Sequence, residues 1–313
     1  MADKMTESWK KSICDVIRDE QSESNNIIEM DDESLVINYL TYIRKCIPFP
    51  VTVYESNEIK TMISDEIKGP YDTIKKRLAN GEGVAPYLSS RASKLDFDGL
   101  YLDWNILHLH LGNINADSSS AERTGKTLHL MVIGNEAYLI KIGQHGSGAY
   151  TDPDEFKIIH NNWPKLLNVL NFIPDQNVNS EDRIKMRNGG VNMFTTFPDN
   201  TGKLITAAPV KIWGYSTNKT STYDSKLLDK RIPKIIKGIA KQAKDISKES
   251  ERFSEGQFYY SPEKTCFSFS IIDSQENPCS LFEINSNELW RKIFVCDDKE
   301  KGEKEKLTIK VFW

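Results

Sequence analysis

Residues 99–112 read GLYLDWNILHLHLG and residues 126–145 read KTLHLMVIGNEAYLIKIGQH. Alternating apolar and polar residues predict three β-strands here, at 99–112, 126–134 and 136–145. Gly134-Asn135 is a two-residue loop of the hairpin type between the second and third strands. Two helical patterns precede these strands and one follows them. The pattern therefore predicts a helix-helix-β-β-β-helix unit with an antiparallel sheet.

All five histidines fall between residues 108 and 160. Side chains two apart on a strand share a face, so His108 and His110 are expected side by side. If the strands are neighbours, His129 and His145 converge on them. Imidazoles carry acid–base chemistry near neutral pH and also bind metals, so both kinds of site are open here.

The acid–base interpretation needs no metal. A histidine can take a proton from a ribose 2′-hydroxyl while a cation stabilises the charge that develops on the phosphate. Arg123 and Lys126 directly precede the second strand, and we assign them to phosphate binding. We assign His110 and His145 as the acid and base. His108 and His129 are then supporting residues of the catalytic cluster.

The metal interpretation needs a third or fourth ligand, for which Asp117 and Glu122 are available. The histidine spacing departs from HExxH and from an HxH pattern followed closely by Glu. We therefore expect no metal and no cofactor. The chain also lacks GxxxxGK[ST] and GxGxxG, which disfavours nucleotide hydrolysis and dinucleotide binding.

A further helix is predicted after the third strand. Asp152, Pro153 and Glu155 match an N-cap, a proline at the first helical position and a capping-box glutamate. His160 lies one turn after Phe156 on an apolar side of this helix, so we expect it in the core.

Composition divides the chain into three parts. Residues 1–57 form an acidic helical segment, with ten acidic against four basic residues in 1–33. Residues 58–173 form the His-rich α+β module, and 174–182 (PDQNVNSED) resemble a linker. Residues 183–313 form a C-terminal α+β domain with a long basic amphipathic helix at about 228–251.

Lysines recur at steps of three and four on that helix, at Lys230, Lys234, Lys237, Lys241, Lys244 and Lys248. Lysines about one turn apart are able to follow a phosphate backbone, and we assign Lys234, Lys237, Lys241 and Lys244 to substrate binding. A solvated outer face of an ordinary packed helix explains the same pattern.

Neither a secretory signal nor an apolar run that would cross a membrane is recognisable. The five cysteines are odd in number and widely spaced, which is typical of reduced thiols. We expect a cytoplasmic protein with no membrane partner.

The stretch HLHLG, the loop Arg123-Thr124-Gly125, a hairpin strand ending in HG and a helix ending in NWP resemble an uncharacterised family of bacterial and prophage proteins. The element order of residues 58–170 is also similar to that of RelE/HigB-type toxins, which cleave messenger RNA without a metal. This resemblance implies a RelE-like helix-helix-antiparallel sheet-helix module. With the N-terminal helical segment and the C-terminal α+β domain, the expected fold class is α+β.

Together these features predict an intracellular bacterial toxin-like or phage-defence effector, a metal-independent ribonuclease with RNA as substrate. The alternative is a non-catalytic sensor or adaptor that binds a nucleic acid or a protein, such as an antitoxin or a defence-complex subunit. The sequence leaves the oligomeric state open.

Overall fold

The computed structural model describes residues 2–20, 27, 29–96, 98–115, 119–145, 153–171, 182, 185–186, 194–208, 220–247, 255–272, 278–295 and 307–312. In this part the chain is a mixed α+β protein with three β-sheets. Four predictions lie wholly or largely outside these residues: Asp117, the capping role of Asp152, the linker at 174–182 and Lys248.

The helices are Ala2–Glu20 (α1), Asp32–Cys46 (α2), Ile59–Met62 (α3), Asp65–Asn80 (α4), Ser90–Ser93 (α5), Gly99–Trp104 (α6), Asp154–Asn162 (α7), Thr222–Lys226 (α8), Ile232–Ser247 (α9) and Ser286–Phe294 (α10). The strands are Thr52–Glu55 (β1), Ile106–His110 (β2), Lys126–Ile133 (β3), Glu136–Gln144 (β4), Asn168–Leu170 (β5), Thr195–Pro198 (β6), Leu204–Ala208 (β7), Glu255–Ser261 (β8), Cys266–Ile272 (β9), Pro278–Asn285 (β10) and Ile309–Phe312 (β11).

The chain divides into two compact units. Unit 1 comprises residues 1–44 and 224–313, and unit 2 comprises residues 45–223. This division groups the first 44 residues with the C-terminal part, whereas the sequence pattern separates them at residue 57 and at 174–182. The reason is the apolar face of α1, which packs against β8 of unit 1.

Unit 1 contains the antiparallel sheet β11-β10-β9-β8. Trp9 of α1 is fully buried, and its ring lies 6.1 Å from those of Phe267 and Trp290. Aromatic side chains bury much apolar area, so this cluster is the centre of the core of unit 1. The amphipathic pattern of α1 therefore reflects packing on a sheet.

Unit 2 contains a four-stranded sheet in the order β1-β4-β3-β2. The predicted three-stranded antiparallel meander is present, with the hairpin turn at Gly134-Asn135, and β1 pairs with β4 in parallel. A second sheet, β5-β7-β6, shares a core with α7 through Phe156, Phe197 and Ile205.

The first half of the predicted strand 99–112 is wrong, because residues 99–104 form α6. The Asp98 side chain caps this helix by accepting a hydrogen bond from the Tyr101 backbone N–H. Asn105 ends the helix in the left-handed region, at φ 57°. Two polar residues of the type that caps helices thus override the apolar alternation, and β2 begins at Ile106.

Candidate acid–base site

The register of β2, β3 and β4 places the histidines on one face of the sheet. His108 lies opposite His129, and His110 lies opposite Thr127. The rings of His108 and His129 meet edge to face with centroids 4.5 Å apart. Residues directly opposite each other on antiparallel strands point to the same side, so the predicted convergence of His108, His110 and His129 is confirmed.

His145 follows β4 and joins this group at the end of the strands. Its backbone N–H donates to the carbonyl of Gly125, 2.8 Å away. Its ring is stacked on that of His110, with centroids 5.3 Å apart and an interplanar angle of 27°. His110 is buried whereas His145 is exposed, so the pair extends from the core to the surface. We call this pair the strand-end histidines.

His110 has an altered protonation equilibrium. Burial, followed by the positive charges of His145 and Arg123, lowers the pKa of its imidazole below the ordinary value of 6.5. Its Nδ1 atom is buried and has no hydrogen-bond partner among the residues described. At neutral pH this imidazole is therefore neutral, and one of its two ring nitrogens is able to accept a proton.

The two predicted phosphate-binding residues lie at the same end of the sheet. Arg123 is exposed, and its guanidinium donates to the Ser90 hydroxyl over 2.8 Å. Lys126 is half-buried at the first position of β3, opposite Gln144. The positive charge of Arg123 acts on His110, and Lys126 is the neighbour in β3 of Thr127, which lies opposite His110.

His129 is the best anchored of the histidines. Its ring is fully buried, with Nδ1 2.5 Å from Oε1 of Glu155 and Nε2 3.0 Å from Oγ1 of Thr127. Thr127 and Glu155 are 1% and 2% exposed. Burying a polar group costs stability unless the group is hydrogen-bonded. His129 is bonded to both Thr127 and Glu155, so each of the three groups has a partner.

Gly143 makes room for this ring. It lies opposite Thr127 on β4, and a Cβ built on it would lie 2.4 Å from Nε2 and 2.8 Å from Cε1 of His129. Such distances are far below van der Waals contact, so a side chain is excluded at this position. Position 143 therefore needs a glycine because the His129 ring occupies the space of a side chain, and not because of a turn or a positive φ.

A β-bulge brings a lysine to the same place. The register of β3 and β4 shifts between His129 and Leu130, which leaves Ile140 as the extra residue and sets Lys141 opposite His129. The Lys141 ammonium lies 3.7 Å from Oε1 of Glu155. Without the bulge, the strand alternation would place Lys141 on the other face of the sheet.

A second carboxylate lies beside His108. Asp98 Oδ2 accepts from the Lys45 ammonium at 3.0 Å. Burial alone would raise the pKa of the Asp98 carboxyl. The positive charges of Lys45 and His108 outweigh this effect and hold that pKa below its ordinary value. The His108–His129 pair is thus flanked by one carboxylate on each side, and each carboxylate is neutralised by a lysine.

Sequence reasoning missed Glu155, Thr127, Lys141, Asp98 and Lys45 as members of this site. The expectation that Glu155 caps its own helix is wrong, since its side chain is buried against His129. Helical spacing was the available signal, because Glu155 shares its face with Ile158 and Ile159, three and four positions on. The bulge that moves Lys141 has no comparable signal.

His160 lies away from this site. Its ring is half-buried and packs edge-on against Phe197, with centroids 5.9 Å apart. The expectation that it lies in the core is met in part, since the ring packs on the core residue Phe197 but is only half-buried. Its positive charge also contributes to the lowered pKa of Asp199, after the hydrogen bonds from Thr201 and Lys203.

The predicted basic helix belongs to unit 1 and is α9, preceded by the π-helical turn Leu227–Arg231. Its buried side carries Ile232, Ile236 and Ile239. The lysines that the structure describes here are exposed: Lys230, Lys234, Lys237 and Lys241. The side chain of Lys244 lies outside the described part. Amphipathic packing therefore accounts for the helix, and it leaves a row of solvent-facing ammonium groups.

No protein-family model, no curated protein and no solved structure matches this chain. Within the described residues, no three His, Cys, Asp or Glu side chains are grouped so as to hold a metal ion. Among the described helices, none is long and apolar enough to span a membrane.

Proposed function

We propose that the protein is a cytoplasmic toxin-like or phage-defence effector of a bacterium that cleaves RNA without a metal at the strand-end histidines. The observation that carries this proposal is the stacked pair of His110 and His145 beside Arg123. One imidazole is neutral at neutral pH and the other is exposed, so the pair has the acid–base capacity that transesterification of RNA requires.

The reaction follows from these roles. His110 takes the proton of the ribose 2′-hydroxyl, and the 2′-oxygen attacks the adjacent phosphorus. The bond from phosphorus to the 5′-oxygen breaks, and His145 gives its proton to that oxygen. Arg123 and Lys126 stabilise the negative charge on the phosphate oxygens. The products are a 2′,3′-cyclic phosphate and a free 5′-hydroxyl, and the two histidines have exchanged protonation states.

We also propose that unit 2 contains a RelE-like module. Its support is the order of elements: α3 and α4 follow β1, the short helices α5 and α6 precede the meander β2–β4, and α7 follows the meander. β1 pairs with residues 136–139 of β4, so the end of β4 that leads to His145 pairs with β3. In such a module an antitoxin-like protein partner would cover the strand-end histidines.

The test is cleavage of a mixed-sequence RNA by the full chain in excess EDTA. We expect products with 2′,3′-cyclic phosphate ends, and we expect the His110→Ala/His145→Ala double variant to produce none. His160→Ala is the matched control, because His160 packs on Phe197 outside the site, and it should cleave like the wild type. Cleavage that persists in the double variant, or that EDTA abolishes, would refute the proposal.

A second function is favoured by one separate observation, the exposed lysine row of α9. We propose as the alternative a non-catalytic adaptor that binds nucleic acid through these lysines. Replacing Lys234, Lys237 and Lys241 by Gln should lower the slope of log affinity against log salt by about three, since each phosphate contact contributes about 0.9. Gln at Lys60, Lys68 and Lys76, which are exposed lysines of unit 2, is the charge-matched control. Equal slopes in the two triple variants would exclude this alternative.

A further inference from the structure

A stack of three aromatic side chains ends at the edge of the four-stranded sheet of unit 2. Tyr54 of β1 lies opposite Tyr138 of β4, and their rings are stacked with centroids 5.3 Å apart and an interplanar angle of 19°. Trp163, directly after α7, packs edge-on against Tyr138 with centroids 5.1 Å apart. Tyr138 is buried and Trp163 is half-buried, whereas Tyr54 on the edge strand is 39% exposed. We call these three residues the edge stack.

One carboxylate holds both tyrosines. The Tyr54 hydroxyl donates to Oε1 of Glu136 over 3.3 Å, and the Tyr138 hydroxyl donates to Oε2 over 2.6 Å. Burial, the hydrogen bond to Glu136 and the negative charge of Glu136 raise the pKa of the Tyr138 phenol, so this phenol stays protonated and donates. The exposed ring of Tyr54 is therefore oriented before any ligand arrives, which lowers the entropy cost of binding to it.

The edge stack and Glu136 together determine the chemistry of a ligand. A planar ring is able to extend the stack on Tyr54, because offset stacking of aromatic groups is favourable. The negative charge of Glu136 repels a phosphate and attracts N–H groups. A carboxylate has about four acceptor positions on its two oxygens, and the two phenols occupy one on each oxygen. Each oxygen of this half-buried side chain thus retains an acceptor position for one further donor.

Guanine is the nucleobase that meets both requirements. Its Watson–Crick edge has two adjacent donors, N1–H and the N2 amino group, which match the two oxygens of a carboxylate. Adenine, cytosine and uracil each present a donor on this edge only next to an acceptor, which a carboxylate repels. A single strand exposes the faces and edges of its bases, and proteins bind such bases by stacking them on aromatic side chains.

We infer that Tyr54 and Glu136 form a guanine-binding subsite for single-stranded RNA, in which the base stacks on Tyr54 and donates two hydrogen bonds to Glu136. The subsite rests on the proposed function for the source of the base, since the RNA that is cleaved must also be bound.

The subsite is separate from the strand-end histidines but lies on the same face of the sheet. Tyr138 lies opposite Met131, which is two residues from His129 on β3. His145 comes seven residues after Tyr138. At about 3.3 Å per residue, the subsite is therefore about 20 Å from the strand-end histidines. It binds a base remote from the cleaved phosphate, and so it determines which part of a strand reaches the histidines.

The test is fluorescence anisotropy of labelled thymine oligodeoxynucleotides that contain a single guanine, hypoxanthine or adenine, titrated with the full chain. These strands lack the 2′-hydroxyl, so binding is measured without the proposed cleavage. We expect the guanine strand to bind at least about tenfold more tightly than the adenine strand, as is typical of a bidentate contact to a base. Hypoxanthine lacks the N2 amino group and keeps one of the two donors, so its affinity should lie between the other two.

Two variants separate the two contacts. Glu136→Gln replaces one acceptor oxygen by an amide nitrogen, so the preference for guanine over adenine should fall below about twofold. This preference is a ratio within one preparation, so it does not depend on the folded fraction of the variant. Tyr54→Leu removes the exposed ring and should weaken the binding of all three strands by about tenfold. Tyr259→Leu is the matched control and should bind like the wild type, because Tyr259 is also exposed on a strand but its hydroxyl donates to Gln257.

Several results would overturn the subsite: no detectable binding, equal affinities for guanine and adenine, or an unaltered preference in Glu136→Gln. Binding of N-acetylarginine amide that depends on Tyr54, without a preference among the bases, would show that the edge stack binds a guanidinium of a protein, and it would also overturn the subsite.

The fate of the proposed cleavage is decided separately. If the wild type cleaves RNA but binds the three strands equally, the ribonuclease stands and the subsite falls. If the guanine preference is present and depends on Glu136 while RNA is not cleaved, the subsite is supported and the ribonuclease proposal falls.

Discussion

The substitution Gly143→Ala tests both the sign and the size of a change in the free energy of unfolding. Alanine normally stabilises a strand interior by about 0.5–1 kcal/mol relative to glycine, because glycine loses more backbone entropy on folding. The φ angle of Gly143 lies outside the left-handed region, so its backbone accommodates alanine. We nevertheless expect Gly143→Ala to destabilise unit 2, because the added methyl group meets the imidazole of His129.

The magnitude follows from the contact. A Cβ at 2.4 Å from Nε2 must displace the ring by about 1 Å to reach van der Waals distance. That movement disrupts the hydrogen bonds of the ring to Thr127 and Glu155. Overpacking costs about 1–3 kcal/mol and a buried hydrogen bond left unmade costs about the same. The expected loss is therefore about 2–4 kcal/mol in the free energy of unfolding.

The assay is hydrogen exchange of peptides within residues 126–144 in increasing urea, which reports the local free energy of opening. Gly238→Ala is the control, since a Cβ at this position of α9 meets nothing within 4 Å. Read in peptides of α9, it should raise the local free energy of opening by about 1 kcal/mol, the ordinary helix value, and it should leave peptides 126–144 unchanged. If Gly143→Ala is as stable as the wild type or more so, the His129 ring does not occupy the described position.

Three further predictions concern other parts of the molecule. Asp224→Ala should lower the free energy of unfolding of unit 1 by about 3 kcal/mol, because it leaves the buried Arg44 guanidinium without its bidentate partner. Urea denaturation measures this loss, and a loss below about 1 kcal/mol would contradict the prediction. For His110, the pKa is lowered in the folded protein, so the unfolded chain takes up the proton first as pH falls; its stabilising contribution is present above about pH 6.5 and is lost below it. His110→Gln should therefore lose less stability than the wild type between pH 7.5 and 5.5, and parallel curves would refute the lowered pKa. Burial, aided by Asp32, raises the pKa of the Cys14 thiol to about 12. Mass spectrometry should therefore find this thiol unalkylated by iodoacetamide at pH 8 in the folded protein and alkylated after unfolding. Rapid alkylation of the folded protein would contradict the prediction, because it would show that the thiol is accessible.

The sequence predicts much of the sheet that carries the site. Strand alternation and the Gly134-Asn135 turn establish β3 and β4, and the spacing of His108 and His110 places both rings on one face. These features depend on the period of the side chains and on short-range turn geometry, so they are visible in the chain itself.

The rest of the site depends on tertiary contacts. The end of a helix at Asn105 is decided by capping, which competes with a strand pattern of similar strength. Lys141 changes face because of one extra residue in a strand, and a bulge leaves little trace in the sequence. Glu155 is polar on an apolar helix face, and only its partner His129 explains why it is buried there.

The division into units is also a tertiary property. α1 carries an apolar face, but nothing in residues 1–20 indicates that a strand more than 230 positions later covers it. Long-range pairing of this kind is specified by shape and total burial, which no local pattern contains.

The central claim is that the strand-end histidines cleave RNA through its own 2′-hydroxyl, and one substrate tests it most directly. It is a DNA oligonucleotide with a single ribonucleotide, incubated with the full chain in EDTA. We expect one cut, on the 3′ side of the ribonucleotide, with a 2′,3′-cyclic phosphate, and no cut in the all-deoxy oligonucleotide. No cleavage of the ribonucleotide substrate under conditions where the chain is folded, or equal cleavage of the all-deoxy oligonucleotide, would contradict it.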